Sequence, residues 1–336
     1  MRVKLGRVIV GLIVAVASSA SAHHSIFAVY DDNTFVEVEG VITAMDLRNP
    51  HITMMMRVEN DAGDEELWRL EGDSANAVAR RGISSDTLRV GARVRVAGYP
   101  SRFRDRQMLA TNMLMPDGEE RLLTERPRPW RWNQPPPAET QAPAAETALG
   151  RTLFRVWSFH EFMEPRTPLE FTPAAQAARA AWNPDTDMLA LRCIAPGMPN
   201  AMHSPYPIEF VDVDDGDRIR LRIEEWEATR LIDMVADAVP EDAPRSPYGY
   251  SVGRWDGDTL VVETERIDFP YQDDLGTPMS EQVRMLERFT LSEDGNRLDY
   301  ELTVTDAPNL TTPATWDAAW VRVPGKQLMP YQCDPQ

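Results

Sequence analysis

From Phe35 to Met45 the chain reads F-V-E-V-E-G-V-I-T-A-M, apolar and polar positions taking turns. That period of two is the mark of a strand with one face turned inward. Ile52 to Glu59 and Glu66 to Glu71 carry the same pattern on either side of the turn residues Asn60-Asp61-Ala62-Gly63. Ser74 to Arg81 changes to a helical pattern, with Ser74 as the cap. Arg93 to Gly98 and Met108 to Met115 return to alternation. Three strands, a helix and two strands are the order of an OB-type small barrel.

The pattern then stops. Residues 124–148 hold Pro127, Pro129, Pro135-Pro136-Pro137 and Pro143 among alanines. Such a stretch stays extended and builds no core, so it reads as a linker. Trp130 and Trp132 sit inside it and are expected to dock on a domain. Beyond it, Thr172 caps a short helix from Pro173 to Trp182, with Pro173 in the first position. Strands follow at Ile208–Val213, Arg218–Glu225, Ala228–Met234, Tyr250–Trp255, Thr259–Ile267, Gln282–Ser292, Arg297–Thr305 and Ala318–Val323. Turns such as Asp214-Asp215-Gly216-Asp217 and Asp256-Gly257-Asp258 separate them. Hairpins at this spacing predict an antiparallel meander. The reading is therefore all-β: an OB-like small barrel over residues 23–123, the linker, and a larger antiparallel barrel-like or curved-sheet domain over residues 149–336.

The first residues change the picture in a different way. Arg2, Lys4 and Arg7 precede an uncharged apolar run from Val8 to Ala17, and Ala20-Ser21-Ala22 follows. This is the three-part pattern of a signal peptide, residues 1–22, and predicts a periplasmic or secreted protein. Later stretches are too short or too polar to span a membrane as a helix. The formal charge of −18 becomes −21 once the three basic leader residues are set aside. So acidic a chain is a poor partner for nucleic acid or an anionic membrane. Its two cysteines, Cys193 and Cys333, are an even pair and predict one disulfide.

Cleavage after Ala22 makes His23 the terminal residue. Its α-amine and imidazole, with ordinary pKa values of roughly 8 and 6.5, can then chelate one metal ion. Nitrogen donors favour copper(II) over nickel and zinc. A third nitrogen, from His24 or from His51 in Asn49-Pro50-His51, would complete a histidine brace. The alternative is a solvated terminus whose histidines do nothing.

Residues 23–118 resemble an uncharacterised family of exported bacterial proteins. The resemblance rests on His23-His24-Ser25, on Asn49-Pro50-His51, and on Gly72-Asp73-Ser74-Ala75-Asn76 at the helix start. The second half resembles a companion domain of similar proteins through several stretches. They are Cys193 with Pro196-Gly197-Met198-Pro199, Pro205-Tyr206-Pro207-Ile208-Glu209, the run from Gly249 to Val262, and Glu287-Arg288-Phe289. The resemblance implies that the histidines belong to the family pattern. It brings no catalytic residues.

Other candidates are weighed on their surroundings. His203, Tyr206 and Glu209 fall in and after a proline-rich loop, where a ligand site at a barrel mouth would lie. His160, in Trp157-Ser158-Phe159-His160-Glu161, stands between aromatics and reads as structural. That stretch resembles the first strand of a lipocalin-like barrel, with Arg155 where such barrels prefer glycine. Met54-Met55-Met56 invites a copper(I) reading, but alternation along a strand favours core filling. Glu224-Glu225 and Asp273-Asp274 read as solvated charges. Gly249-Tyr250-Ser251-Val252-Gly253 fits the letters of a nucleophile elbow, yet it leads into another strand instead of a helix. Two functions remain open. One is metal binding, copper above all, through His23, His24 and His51. The other is a small-molecule-binding protein or enzyme with its site in the second domain near His203, Tyr206 and Glu209.

Overall fold

A computed structural model describes residues 29–124, 129–133 and 152–333. Residues 1–22, expected to be a leader, and His23 and His24 lie outside the described residues. Two β-barrels account for nearly all the regular structure. The first is built from β1 (Val36–Asp46), β2 (Thr53–Glu59), β3 (Glu65–Glu71), α1 (Ala75–Arg80), β4 (Arg93–Pro100) and β5 (Gln107–Leu114). Its strands run β3-β2-β1-β4-β5, and a short parallel contact of β3 with β5, from Arg69↔Gln107 to Glu71↔Leu109, closes the ring. This is the OB-like arrangement expected from the sequence. The Ser74 hydroxyl accepts from the Ala77 N–H and so caps α1. Met54 and Met56 face the core while Met55 faces the other way, as alternation requires.

A short strand, β6 (Glu120–Leu122), lay outside the expected elements and pairs with the edge of β5. Its Glu120 is buried. It accepts from the backbone N–H groups of Arg131, Trp132 and Asn133 at 2.8–3.1 Å. Arg131 also reaches Glu37 and stacks over Phe35. Residues 129–133 are thereby docked on the small barrel, with both tryptophans half-buried, in line with the expectation for them.

The second barrel closes nine strands in sequence order: β7 (Val156–Pro165), β8 (Ile208–Val213), β9 (Arg218–Ile223), β10 (Thr229–Asp233), β11 (Tyr250–Asp256), β12 (Thr259–Glu265), β13 (Arg284–Leu291), β14 (Arg297–Thr305) and β15 (Ala314–Val321). Its helix α2 (Pro173–Ala181) is capped by Thr172. Every contact round the ring is antiparallel except β10 with β11, where two residue pairs run parallel. The long stretch 234–249 between those strands carries the chain back to the starting end, which a hairpin turn cannot do. β7 is the strand the alternation pattern left unassigned. It holds the stretch that resembles a lipocalin first strand, and β15 and β8 flank it. His160 stands on its exposed face beside Glu161, so the structural role expected for it is not one of core packing.

Two connections tie the barrels together. The Cys193–Cys333 disulfide forms as expected, with Cα atoms 5.8 Å apart. Cys333 also makes a β-bridge with Asn49 of the small barrel, so the C-terminal segment crosses from one barrel to the other. The second connection is Glu224. Read from sequence as a solvated charge, it is instead wholly buried and ion-paired with Arg80 of α1. Asn76 Nδ2 at 3.1 Å and the Met329 N–H at 2.9 Å donate to the same carboxylate. Asn49 in turn bonds Asn76. A buried carboxylate is tolerable only with this many donors around it.

Candidate functional site

Between the barrels lies a cavity of about 460 Å³. The small barrel contributes the β1–β2 turn, with Pro50 and His51, and the start of α1, with Asp73 and Ser74. The large barrel contributes β7, the loops around residues 188–206 and 269–277, and the turn after β9. Its volume falls within the range of small-molecule sites.

His51 enters from a firmly held position. Its Nδ1 lies 2.9 Å from the Gly72 carbonyl, which can only accept, so Nδ1 carries the proton and Nε2 is the lone-pair nitrogen. Glu71 stands 3.5 Å from the same Nδ1, and the Tyr30 hydroxyl donates to Glu71 at 2.6 Å. The imidazole is thus oriented by backbone and carboxylate together.

From the large barrel come His203 and Tyr206, two of the three residues singled out in the loop before β8. His203 packs edge-on to Trp316 at 6.0 Å, and burial pushes its pKa down to about 4, so it is neutral at pH 7. Tyr206 packs against Tyr331 of the C-terminal segment. Glu209, the third, does not line the cavity. It lies on β8, its side chain facing away from the Ile208 and Phe210 core positions, and pairs with Arg222 at 2.6 Å. It drops out because consecutive strand residues point to opposite faces.

The strongest acid-base candidate is one that sequence reasoning set aside. Glu225 follows β9 in a turn in which Trp226 adopts φ +61°, a left-handed conformation rare for a bulky residue. The turn places both side chains on the cavity wall. Burial raises the Glu225 pKa from 4.5 to about 7, against the opposing pull of the Ser204 hydroxyl, and the Asp274 charge adds to the rise. A carboxyl balanced near neutral pH can give or take a proton from a bound molecule. The signal for it was negative: Glu224-Glu225-Trp226-Glu227 has none of the glycine or asparagine that a hairpin turn normally carries. Asp274, with Asn200 donating at 2.7 Å, stands at the exposed rim. Asp273 pairs with Arg179 at 2.9 Å. Gly276, at φ +74°, leaves room for the Trp182 ring, which a Cβ there would strike.

Another sequence candidate finds a structural role. Ser251 hydrogen-bonds Arg230 and Thr264 inside the large barrel, far from any elbow geometry. Met198 and Met202 are core residues. Among the described residues no three histidine, cysteine, aspartate or glutamate side chains are arranged to hold a metal ion.

Residues 11–110 match the model of a family of unknown function (DUF6152). Neither a curated protein nor a solved structure matches the chain. The matched segment takes in His51, Asp73 and Ser74 but none of the large-barrel wall, so it covers one side of the cavity. It agrees with the resemblance of the first half to an uncharacterised family. Among the described residues no helix is long and apolar enough to cross a membrane.

Proposed function

We propose that this protein binds a small organic molecule in the cavity between its barrels. The observation that carries this reading is the cavity itself, walled by aromatic rings and holding convergent polar groups from both barrels: His51 and Asp73 from one, Glu225 and His203 from the other. Apolar walls with few placed polar groups are the general form of a ligand site. Glu225 is the group that would exchange a proton with the ligand, should binding lead to chemistry. The test is a thermal-shift screen of a metabolite library against the full chain and an Ala190→Phe variant, which fills the cavity from its wall. Compounds that stabilise the first and not the second support the reading. Stabilisation that survives the plug places the ligand elsewhere and overturns it.

One observation favours a second reading, metal binding with His51 as a ligand. Histidines that bind metals commonly donate their other ring N–H to a carbonyl or carboxylate, which is how His51 is held by Gly72 and Glu71. On this reading the amine and ring of His23, with His24 nearby, supply the other nitrogens of an exported, processed chain. Copper analysis of protein beginning at His23, beside its His51→Ala variant, is the measurement. Equal copper in both removes His51 from the site.

A further inference from the structure

The charges around the cavity are one-sided. Asp73, Glu164, Glu225, Asp273 and Asp274 line it, and no lysine or arginine is among the described lining residues. Arg179, outside the lining, offsets Asp273. His203 is held neutral by burial. The His51 ring commits its Nδ1 to the Gly72 carbonyl. The Ser204 hydroxyl, buried beside Glu225, adds one more polar group without fixed charge.

Beside aliphatic and proline residues the wall carries aromatic rings, among them Phe162, Phe171, Trp182, Trp226, Phe269 and Trp316. Ring faces attract cations through their quadrupole, tryptophan most strongly. The protein already uses one ring of this wall in that way, since the Arg179 guanidinium sits 4.5 Å over the centre of Phe171. An anionic ligand would meet these carboxylates with no lysine or arginine among the described lining residues to receive it. A neutral ligand without hydrogen-bond donors would displace water from those carboxylates and return nothing for it, and one with donors would leave their charge unbalanced.

We propose that the cavity takes an organic cation, an amine or quaternary ammonium carried on a compact apolar or aromatic body. The ammonium lies among Asp73, Glu225 and Asp274, and the body lies against the tryptophan-rich wall. This rests on the reading of the cavity as a ligand site and names the class of molecule for it.

The experiment uses the full chain with its disulfide intact and four probes of similar size: phenethylamine, phenethyltrimethylammonium, 2-phenylethanol and 3-phenylpropanoate. Tryptophan fluorescence and calorimetry report binding at physiological ionic strength. The two cations are expected to bind at least about tenfold more tightly than the alcohol, with the carboxylate weakest. Ala190→Phe should abolish binding, which separates the cavity from general attraction to an acidic surface. Glu225→Gln should weaken the cations about tenfold and leave the alcohol unchanged; Asp274→Asn, at the rim, serves the same purpose if the first variant folds poorly. Alcohol or carboxylate binding as tight as the amine overturns the cation assignment and leaves the cavity reading standing. Failure of all four probes to saturate overturns the cation assignment too, and the library screen with the plugged variant then decides the cavity reading by itself.

Discussion

The two barrels solve the same packing problem with different materials. The small one has a core of aliphatic and methionine side chains, among them Ile42, Met54, Met56, Leu70, Val96, Met108 and Met113. The large one stacks aromatic rings, Phe210 on Phe289, Phe289 on Tyr300 and Tyr300 on Trp320. It also buries an ion pair. Arg230 on β10 reaches Glu287 on β13 through two bonds of 2.6 and 3.0 Å, and the Tyr300 hydroxyl donates to the same carboxylate. Ser251 and Thr264 take further guanidinium donors. Barrel width grows with strand number, so five strands leave a space that methionine and isoleucine fill. Nine strands leave a wider one, and long side chains from opposite walls must meet across it.

Alternation fixes which residues share a face of a strand, but not that the inward face is free of charge. On β10 an apolar-inward rule chooses Leu231 over Arg230, yet Leu231 is 46% exposed and Arg230 is buried. On β13, Glu287 shares the inward face with Met285, Phe289 and Leu291, while Leu286 points out. Each carries the charge that makes the other acceptable inside.

Measurements on each barrel test this contrast. The largest effect is expected where the barrels are tied to each other. Closing a loop across a sequence separation of 140 residues is worth about 5 kcal/mol at most in the chain-entropy model. Cys193→Ser with Cys333→Ser should therefore lower the unfolding free energy, read from urea titration, by about 3–5 kcal/mol, and a change under about 1 kcal/mol would show the tie to be idle. Thiol titration of the unreduced chain should find no free cysteine.

Next comes the large-barrel pair. Glu287→Ala should cost about 3–5 kcal/mol because it strands a buried guanidinium. The double variant Arg230→Met with Glu287→Leu should recover most of that loss, since an apolar replacement of both partners is commonly neutral. A double variant as unstable as the single one would mean that the polar network is needed as such.

The small barrel should behave differently. Met56→Ala is expected to cost about 2–4 kcal/mol through the cavity it leaves. Met56→Leu should cost under about 1.5 kcal/mol, with no partner to rescue.

The smallest effect belongs to the cavity between the barrels and depends on pH. Glu225 has a folded pKa of about 7 against an ordinary 4.5, so folding favours its neutral form. That preference is complete below pH 4.5 and is lost as pH rises to 7, so ionised Glu225 destabilises the protein above neutrality. His203 acts oppositely: its neutral form is favoured, and stability falls as pH drops from 6.5 towards 4. Comparing Glu225→Gln with the parent isolates the first group. The variant should gain about 1–2 kcal/mol relative to the parent on going from pH 4.5 to pH 8, after allowing for the side chain's access to the cavity. A difference that is flat with pH would remove Glu225 from that role.

Most of the elements, though not β6 or β7, follow from local sequence. Period-two runs located both barrels, Ser74 and Thr172 marked the helix starts, and the even cysteine pair named its own bridge. All of these are local, or nearly forced, statements: a strand's faces follow from its backbone, a cap from its neighbour's free N–H, and one disulfide from two cysteines. His203 and Tyr206 were legible for a similar reason, as a loop of prolines just before a strand. Tertiary structure alone decided the rest. Glu224 and Glu225 are adjacent and look alike in sequence, but one points at Arg80 of the other barrel and the other into the cavity. His51 belongs to that cavity only because the C-terminal segment and the Glu224 cluster hold the barrels face to face. Whether a carboxylate is solvated, paired or held near neutral pKa depends on atoms more than a hundred residues away along the chain, and no local pattern carries that information.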